Sequence, residues 1–433
     1  MFEATPDTSI IDKFSSCSDQ VVFESCIYPY EFFLEDFDKL RDPTADHYEV
    51  LSFLKKIILK ERLVIDNERF NFLLSYIQAE IPNRLQNKAF DIILAYIKLG
   101  KKTFMKLVPE DFIDTIYSIL PRVKAFEILI KCAKMDLKFA ARITELGIVN
   151  FILNNLKKGG MLAIYTIDLF VNLMKYKELY EYTVIYVEKI LEYSLIPQHH
   201  HPEFQIKAFN AICKIIKISD EFKQVVINSQ YFMKLFEIKT NKKEKKIGVL
   251  KIACCLVDDD KILPIEFIKT PIWEYILDLL KSGIKDYYPY LFSYLFDLSR
   301  TEEGKEILIS LKIIDLIINI IENAKYELKN EGMRVLCETA CTENMSTLEY
   351  LISHGFFNLL GCSLSSLSLS VQKIGLDAIC ILIRIAEEQN KDELLSLIYN
   401  NNELISEIEI LQDSDDDFIA GQARSIYLRM NFQ

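Results

Sequence analysis

The chain has 433 residues, half of them hydrophobic, with only 12 Gly and 11 Pro. That composition excludes a disordered chain and allows more buried core than one globular domain usually builds. The net charge of −12 argues against nucleic acid as a direct partner and for basic ones.

Residues 1–46 are acidic, with Lys13, Lys39 and Arg41 as the only basic residues. The aromatic run 27–40 predicts a cap or short helix, and the first dozen residues are expected to be mobile. Glu3 and Asp7 precede any apolar run, so no secretory leader is expected. Charges break every apolar stretch before about 18 residues, so no membrane insertion is expected either.

From 47 to 433 the chain reads as a repeat array of about nine units. The pattern is plainest in 301–386, where a short polar-led helix (301–311), an apolar helix (313–321) and a longer amphipathic helix (328–340) recur as 345–354, 356–364 and 370–386. The shift is about 43 residues, a period that means stacked helical units. A small residue marks the long helix of each unit: Ala89, Ala125, Thr166, Ala208, Gly248, Leu291, Gly332, Gly375 and Ala423. A small side chain lets a long helix approach the helix packed across it, while apolar neighbours at i±3 and i±4 fill the interface. Apolar helices are predicted over 70–77, 112–120, 148–156, 231–238, 272–280, 313–321 and 356–364, with Gly147 and Gly355 turning the chain into two of them. No useful strand alternation interrupts the series, so the expected class is all-α. Loops are expected at 196–202, at the lysine-rich 239–246 and at the acidic 413–417.

The ten cysteines, at 17, 26, 132, 213, 254, 255, 337, 341, 362 and 380, form no CxxC pair and are expected to be reduced, mostly as small core hydrophobes. His199, His200 and His201 share a loop without ligand spacing, so no metal site is expected. No phosphate-binding, metalloprotease, nucleophile-elbow or dinucleotide-binding motif is present. A non-enzymatic chain with no cofactor and no small-molecule substrate is the expectation.

A short helix, an apolar helix opened by Gly, and a long helix of the form V-Q-x-x-small resemble an armadillo repeat; 370–386 (SVQKIGLDAICILIRIA) is the closest single unit. The resemblance implies a right-handed armadillo solenoid. Two ends sharpen it. Residues 53–66 (FLKKIILKERLVID) are similar to the entry of the importin-α array, and 408–432 (IEILQDSDDDFIAGQARSIYLRMNF) to its closing repeat. The chain therefore resembles a divergent importin-α. That resemblance implies an adaptor holding peptide or protein cargo in its concave groove for nuclear import, in the cytoplasm, the nucleus or both. The alternative is an armadillo scaffold for signalling or cytoskeletal assembly.

The chain departs from that family in two places. The family's basic N-terminal segment has no counterpart in 1–46, so importin-β is not an expected partner. The family also lines its groove with a Trp/Asn ladder, and the single Trp here, Trp273, falls in a second helix. Two residues past each anchor, the Trp slots hold Asp91, Glu127, Asp168, Asn210, Leu250, Ser293, Arg334 and Asp377. Six past, the Asn slots hold Ala95, Lys131, Asn172, Lys214, Cys254, Asp297, Glu338 and Ile381. The expected partner-binding residues are thus Asp91, Glu127, Asp168, Asn172, Asn210, Asp297, Glu338 and Asp377. Carboxylates in line would attract an extended basic peptide, with strong salt dependence.

Overall fold

The computed structural model describes residues 29–196, 203–238, 240, 242–258, 260, 262–322 and 324–431. The described residues form helices and no strand, and the contacts divide the chain into two units, Met1–Thr183 and Val184–Gln433.

The first unit opens with the helix Tyr30–Asp38, which buries Phe33 and Phe37 against His47–Glu61. The aromatic cap expected in 27–40 is therefore an integral helix from Tyr30 onward. Asp46 caps His47–Glu61 by accepting from the backbone N–H groups of Tyr48 and Glu49, two of the four donors a helix start leaves open. The long helices Asn83–Lys98, Val123–Met135 and Met161–Leu173 then pack in sequence on one another, the first of them also on His47–Glu61. Short and apolar helices fill between: Lys101–Leu107 and Phe112–Ser118, then Leu137–Glu145 and Ile148–Lys158. Phe70, Phe104 and Phe112 meet at ring-centroid distances of 5.5–6.2 Å and join two successive repeats within the first unit.

In the second unit the long helices are Phe204–Ile216, Lys243–Val257, Tyr288–Ser299, Tyr326–Ala340, Leu369–Glu388 and Asp417–Asn431, and each packs on the next. The apolar helices Pro271–Lys281, Ile313–Glu322 and Phe356–Leu364 lie at the predicted places, and Trp273 is buried on the first. All nine anchors are buried on long helices. Three are glycines at points of close approach, where a larger residue would force a neighbour to shift. A Cβ would fall 2.7 Å from Phe209 at Gly248, 2.2 Å from Ile321 at Gly332 and 2.3 Å from the Ser363 hydroxyl at Gly375. Thr166, a larger anchor, satisfies its hydroxyl on the Ala163 carbonyl at 2.8 Å.

Three expectations need correction or restriction. Residues 231–238 form no α-helix; only Met233–Leu235 make a 3₁₀ turn. A run this short gains few i→i−4 bonds, and Phe232, Leu235 and Phe236 reach the core without them. The lysine-rich 239–246 is not wholly a loop, because Lys243–Val257 starts inside it. Lys243 pairs with Asp286, and Lys245 donates to the Gln205 side chain, so these lysines tie neighbouring repeats of the second unit together. Of the loop at 196–202, residues 197–202, with all three clustered histidines, lie outside the described residues.

The V-Q-x-x-small pattern has a physical basis. Gln86, three before Ala89, donates to the carbonyls of Ile77 and Ala79 at 3.1 and 2.8 Å. Gln372, three before Gly375, donates likewise to Leu364 and Ser366 at 3.1 and 2.7 Å, and Gln205, three before Ala208, donates to Ser194 at 2.8 Å. Each amide satisfies carbonyls left open where the preceding helix ends. The same position of the next unit then reaches back: Arg122 donates to the Gln86 side-chain oxygen and Lys245 to that of Gln205.

Candidate functional site

The long helices bury their anchor stripe, and the positions one before and two after the anchor lie together beside it, in what we call the outer row; most are partly exposed, whereas Leu250, two after Gly248, and Ala95 and Asp297, six after their anchors, are buried. In the first unit this row carries Lys55, Asp91, Lys124 and Glu127. The Asp91 carboxylate accepts from Lys55 at 2.9 Å and from Lys124 at 3.1 Å, and Lys124 also reaches Glu127 at 3.3 Å. Burial opposes ionisation of Asp91, but the two ammonium groups outweigh it and lower its pKa. The carboxylates expected to face a basic peptide are thus linked into an alternating chain of charge. Asp168 is half-buried. Asn172 donates to the Asp168 backbone carbonyl at 2.8 Å and accepts from Lys175 at 2.9 Å, so its amide serves its own helix.

In the second unit Asn210 is exposed and Glu338 half-buried. Asp377 accepts from Gln422, and Asp297 is buried with Arg300 at 3.6 Å. The pair Gln422–Asp377 repeats the register of Lys124–Asp91: the residue before one anchor reaches the residue two past the preceding anchor. Two of the eight expected contact residues, Asp91 and Asp377, therefore join consecutive long helices. Sequence reasoning missed that role, because the lysine or glutamine that meets each lies 33 or 45 residues further along the chain.

The whole-chain charge also concealed a division. Residues 47–183 carry 21 Lys and Arg against 15 Asp and Glu, a net of +6. Residues 184–433 carry 27 against 37, a net of −10. Counting segment by segment would have revealed the basic stretch.

Other chemistry-bearing groups have structural partners. His47 lies 2.9 Å from the Tyr76 hydroxyl and 2.7 Å from the Asp42 carbonyl. His354 Nδ1 is 2.7 Å from the Tyr350 carbonyl and 3.0 Å from the Ser353 hydroxyl. A carbonyl only accepts, so Nδ1 carries the proton in that contact and does not act as a base toward Ser353. Cys132 and Cys337 are fully buried, and burial raises both thiols, Cys337 to about 12. Among the described residues no group of three or more His, Cys, Asp or Glu is placed to hold a metal ion, and no helix is long and apolar enough to cross a membrane.

No protein-family model matches the chain, and no curated protein matches it. Solved structures do. An engineered protein aligns over 93% of this chain and 99% of its own at 14% identity, with a TM-score of 0.67. A designed armadillo repeat protein covers 57% of this chain with all of its own length at 15% identity and a TM-score of 0.48. Another, solved in complex with the peptide (KR)4, covers 57% with 99% of its own length at 14% identity and a TM-score of 0.46. At these identities the likeness is one of fold. The likeness to the engineered protein over 93% of the chain agrees with the packed long helices described above: the chain is an all-α helical repeat solenoid.

Proposed function

We propose that the protein is a non-enzymatic scaffold that binds an extended segment of a partner protein along the outer row of its stacked long helices. The observation that carries this reading is one contact register found once within each unit. Lys124–Asp91 and Gln422–Asp377 repeat one geometry in two places, so equivalent positions recur at regular steps, as a peptide backbone requires. The test is fluorescence anisotropy with labelled twelve-residue peptides of acidic, basic and uncharged composition. Saturable binding of at least one, weakened in a Glu127→Ala/Lys131→Ala/Asn172→Ala variant, supports the scaffold. Binding by none, or unchanged binding by the variant, refutes it.

A finer reading makes the scaffold an importin-α-like adaptor for basic cargo, working in the cytoplasm and the nucleus. Its support is the likeness of 53–66 and 408–432 to the two ends of that array. Against it, Asp91 and Glu127 are already matched by Lys55 and Lys124. Nuclear accumulation of a tagged chain would favour transport. A signal held only on cytoplasmic structures would favour a scaffold for signalling or cytoskeletal assembly.

A further inference from the structure

Six of the nine long helices carry a basic residue nine positions past the anchor: Lys98, Lys134 and Lys175 in the first unit, Lys217, Arg300 and Arg384 in the second, all but Arg384 at or beside the end of the helix. Cations at helix C-termini complement the exposed carbonyls, which accounts for the residue type. It does not account for the difference between the two units. In the second, every one of these cations has a carboxylate: Lys217 with Asp258 at 3.4 Å, Arg300 with Asp297 at 3.6 Å and Arg384 with Glu343 at 3.2 Å. In the first, Lys175 donates to the Asn172 side chain at 2.9 Å, and Asp136, two residues after Lys134, is taken by Lys101 at 2.6 Å. Lys98 and Lys134 are exposed and have no ion-pair partner among the described residues, and the same holds for Lys131 one turn before Lys134. These three sit on helices that pack directly on each other, within the segment of net charge +6.

We propose that Lys98, Lys131 and Lys134 form a docking row for an extended acidic peptide of a partner protein. This inference rests on the scaffold reading and gives the sign of the ligand, opposite to that of a basic cargo. The spacing also specifies the peptide. Packed helices lie about 8–10 Å apart, which is the length of about three residues of extended chain. Carboxylates three residues apart therefore step from Lys98 on one helix to Lys131 and Lys134 on the next. Nucleic acid is the poorer fit, because the remainder of the chain is strongly acidic and would repel a continuous polyanion.

The experiment uses the full chain and three labelled probes: the peptide (Glu-Ser-Gly)4, the peptide (Lys-Ser-Gly)4 and a twelve-nucleotide single-stranded RNA. Anisotropy is read across a salt series for the native chain, for Lys98→Gln/Lys131→Gln/Lys134→Gln, and for a control, Lys157→Gln/Lys158→Gln, on the helix Ile148–Lys158 away from the row. All five lysines are exposed, and a circular-dichroism melt checks that the variants fold as the native chain does. The expected result is salt-sensitive binding of the glutamate peptide, weakened about tenfold or more in the triple variant, as three exposed charge pairs predict, and unchanged in the control. Preferential binding of the lysine peptide overturns the acidic-ligand inference and leaves the scaffold standing. Binding of neither peptide overturns both. Tighter binding of RNA, lost in the triple variant, overturns the choice of a peptide. Equal glutamate-peptide binding by the triple variant removes the row from the site.

Discussion

Substituting Gly332 by alanine tests the packing that defines the repeat. Gly332 is buried in the middle of Tyr326–Ala340, and a methyl group there would lie 2.2 Å from Ile321 Cγ2 and 3.4 Å from Phe292 Cε2. Carbon atoms rest at about 3.5–4.0 Å, so one helix must move by more than about 1 Å. Ile321 is fully buried on the helix Ile313–Glu322 and has no solvent to turn into. Overpacking of this kind costs about 1–3 kcal/mol. Replacing a mid-helix glycine by alanine returns about 1 kcal/mol of helix propensity. The net expectation is destabilisation by about 1 kcal/mol. In an Ile321→Ala background the obstructing methyl is gone and the sign reverses: that variant alone loses about 2–5 kcal/mol, and adding Gly332→Ala then restores about 1 kcal/mol. The assay is urea unfolding followed by fluorescence of Trp273, the only tryptophan and a buried residue of the same unit. A higher midpoint for Gly332→Ala in the native background, or the same effect in both backgrounds, would refute the close-approach argument.

Three further predictions follow from single contacts. Asp91→Asn should cost about 1 kcal/mol at pH 7, since it removes two partly exposed ion pairs. The folded-state pKa is lowered, so this stabilisation is fully present above the unfolded value near ~4 and is lost as pH falls through the folded one; native and variant melting curves should converge in acid, and a difference that persists there would contradict the ion-pair origin. Gln86→Leu should lower stability by about 1–2 kcal/mol, because it leaves the Ile77 carbonyl without its side-chain donor and takes one of two partners from the Ala79 carbonyl and from Arg122, which keep Ile81 N–H and Asn83; an unchanged thermal midpoint would remove the amide from its capping role. Cys132 and Cys337 should resist alkylation at pH 8 until denaturant is added, as peptide mapping would read, because burial keeps both thiols protonated and out of reach; rapid labelling of either in the folded protein would show that the core opens.

Much of the fold was legible from the letters, and the reason is local. A small residue recurring about every 40 positions, with apolar neighbours at helical spacing, encodes a long helix that must be approached closely. Gly332 and Gly375 meet Ile321 and Ser363 across that approach. The helix Phe356–Leu364 lies where its apolar run predicted. The stretches that misled are those whose state is set by distant partners. The run 231–238 looks helical by composition, yet its aromatic side chains are satisfied by contacts such as Phe232 with Phe267 at 6.0 Å, without a helix. The lysines of 243–246 look like a solvated loop, yet Asp286 and Gln205 hold two of them on the first turn of a helix.

The candidate site divides in the same way. Register counting gave Asp91, Glu127 and Asp377 equivalent positions on their long helices, and Asp91 and Asp377 each meet the next long helix from that position. Which of those charges is already matched, and which is left for a partner, was not in the pattern. Asp91 stands beside two lysines that come 36 residues before it and 33 after it, whereas Lys98 and Lys134, of the same residue type as Lys55 and Lys124, meet no acid among the described residues.

By itself, then, the sequence determined the all-α class, the repeat period and the buried stripe of every long helix. These follow from side-chain size and periodicity along the chain, which local sterics and burial read directly. Only the tertiary structure decided the electrostatic character of the outer row. A charge is matched or exposed according to what stands across from it, and in a repeat stack that neighbour belongs to the next turn of the array.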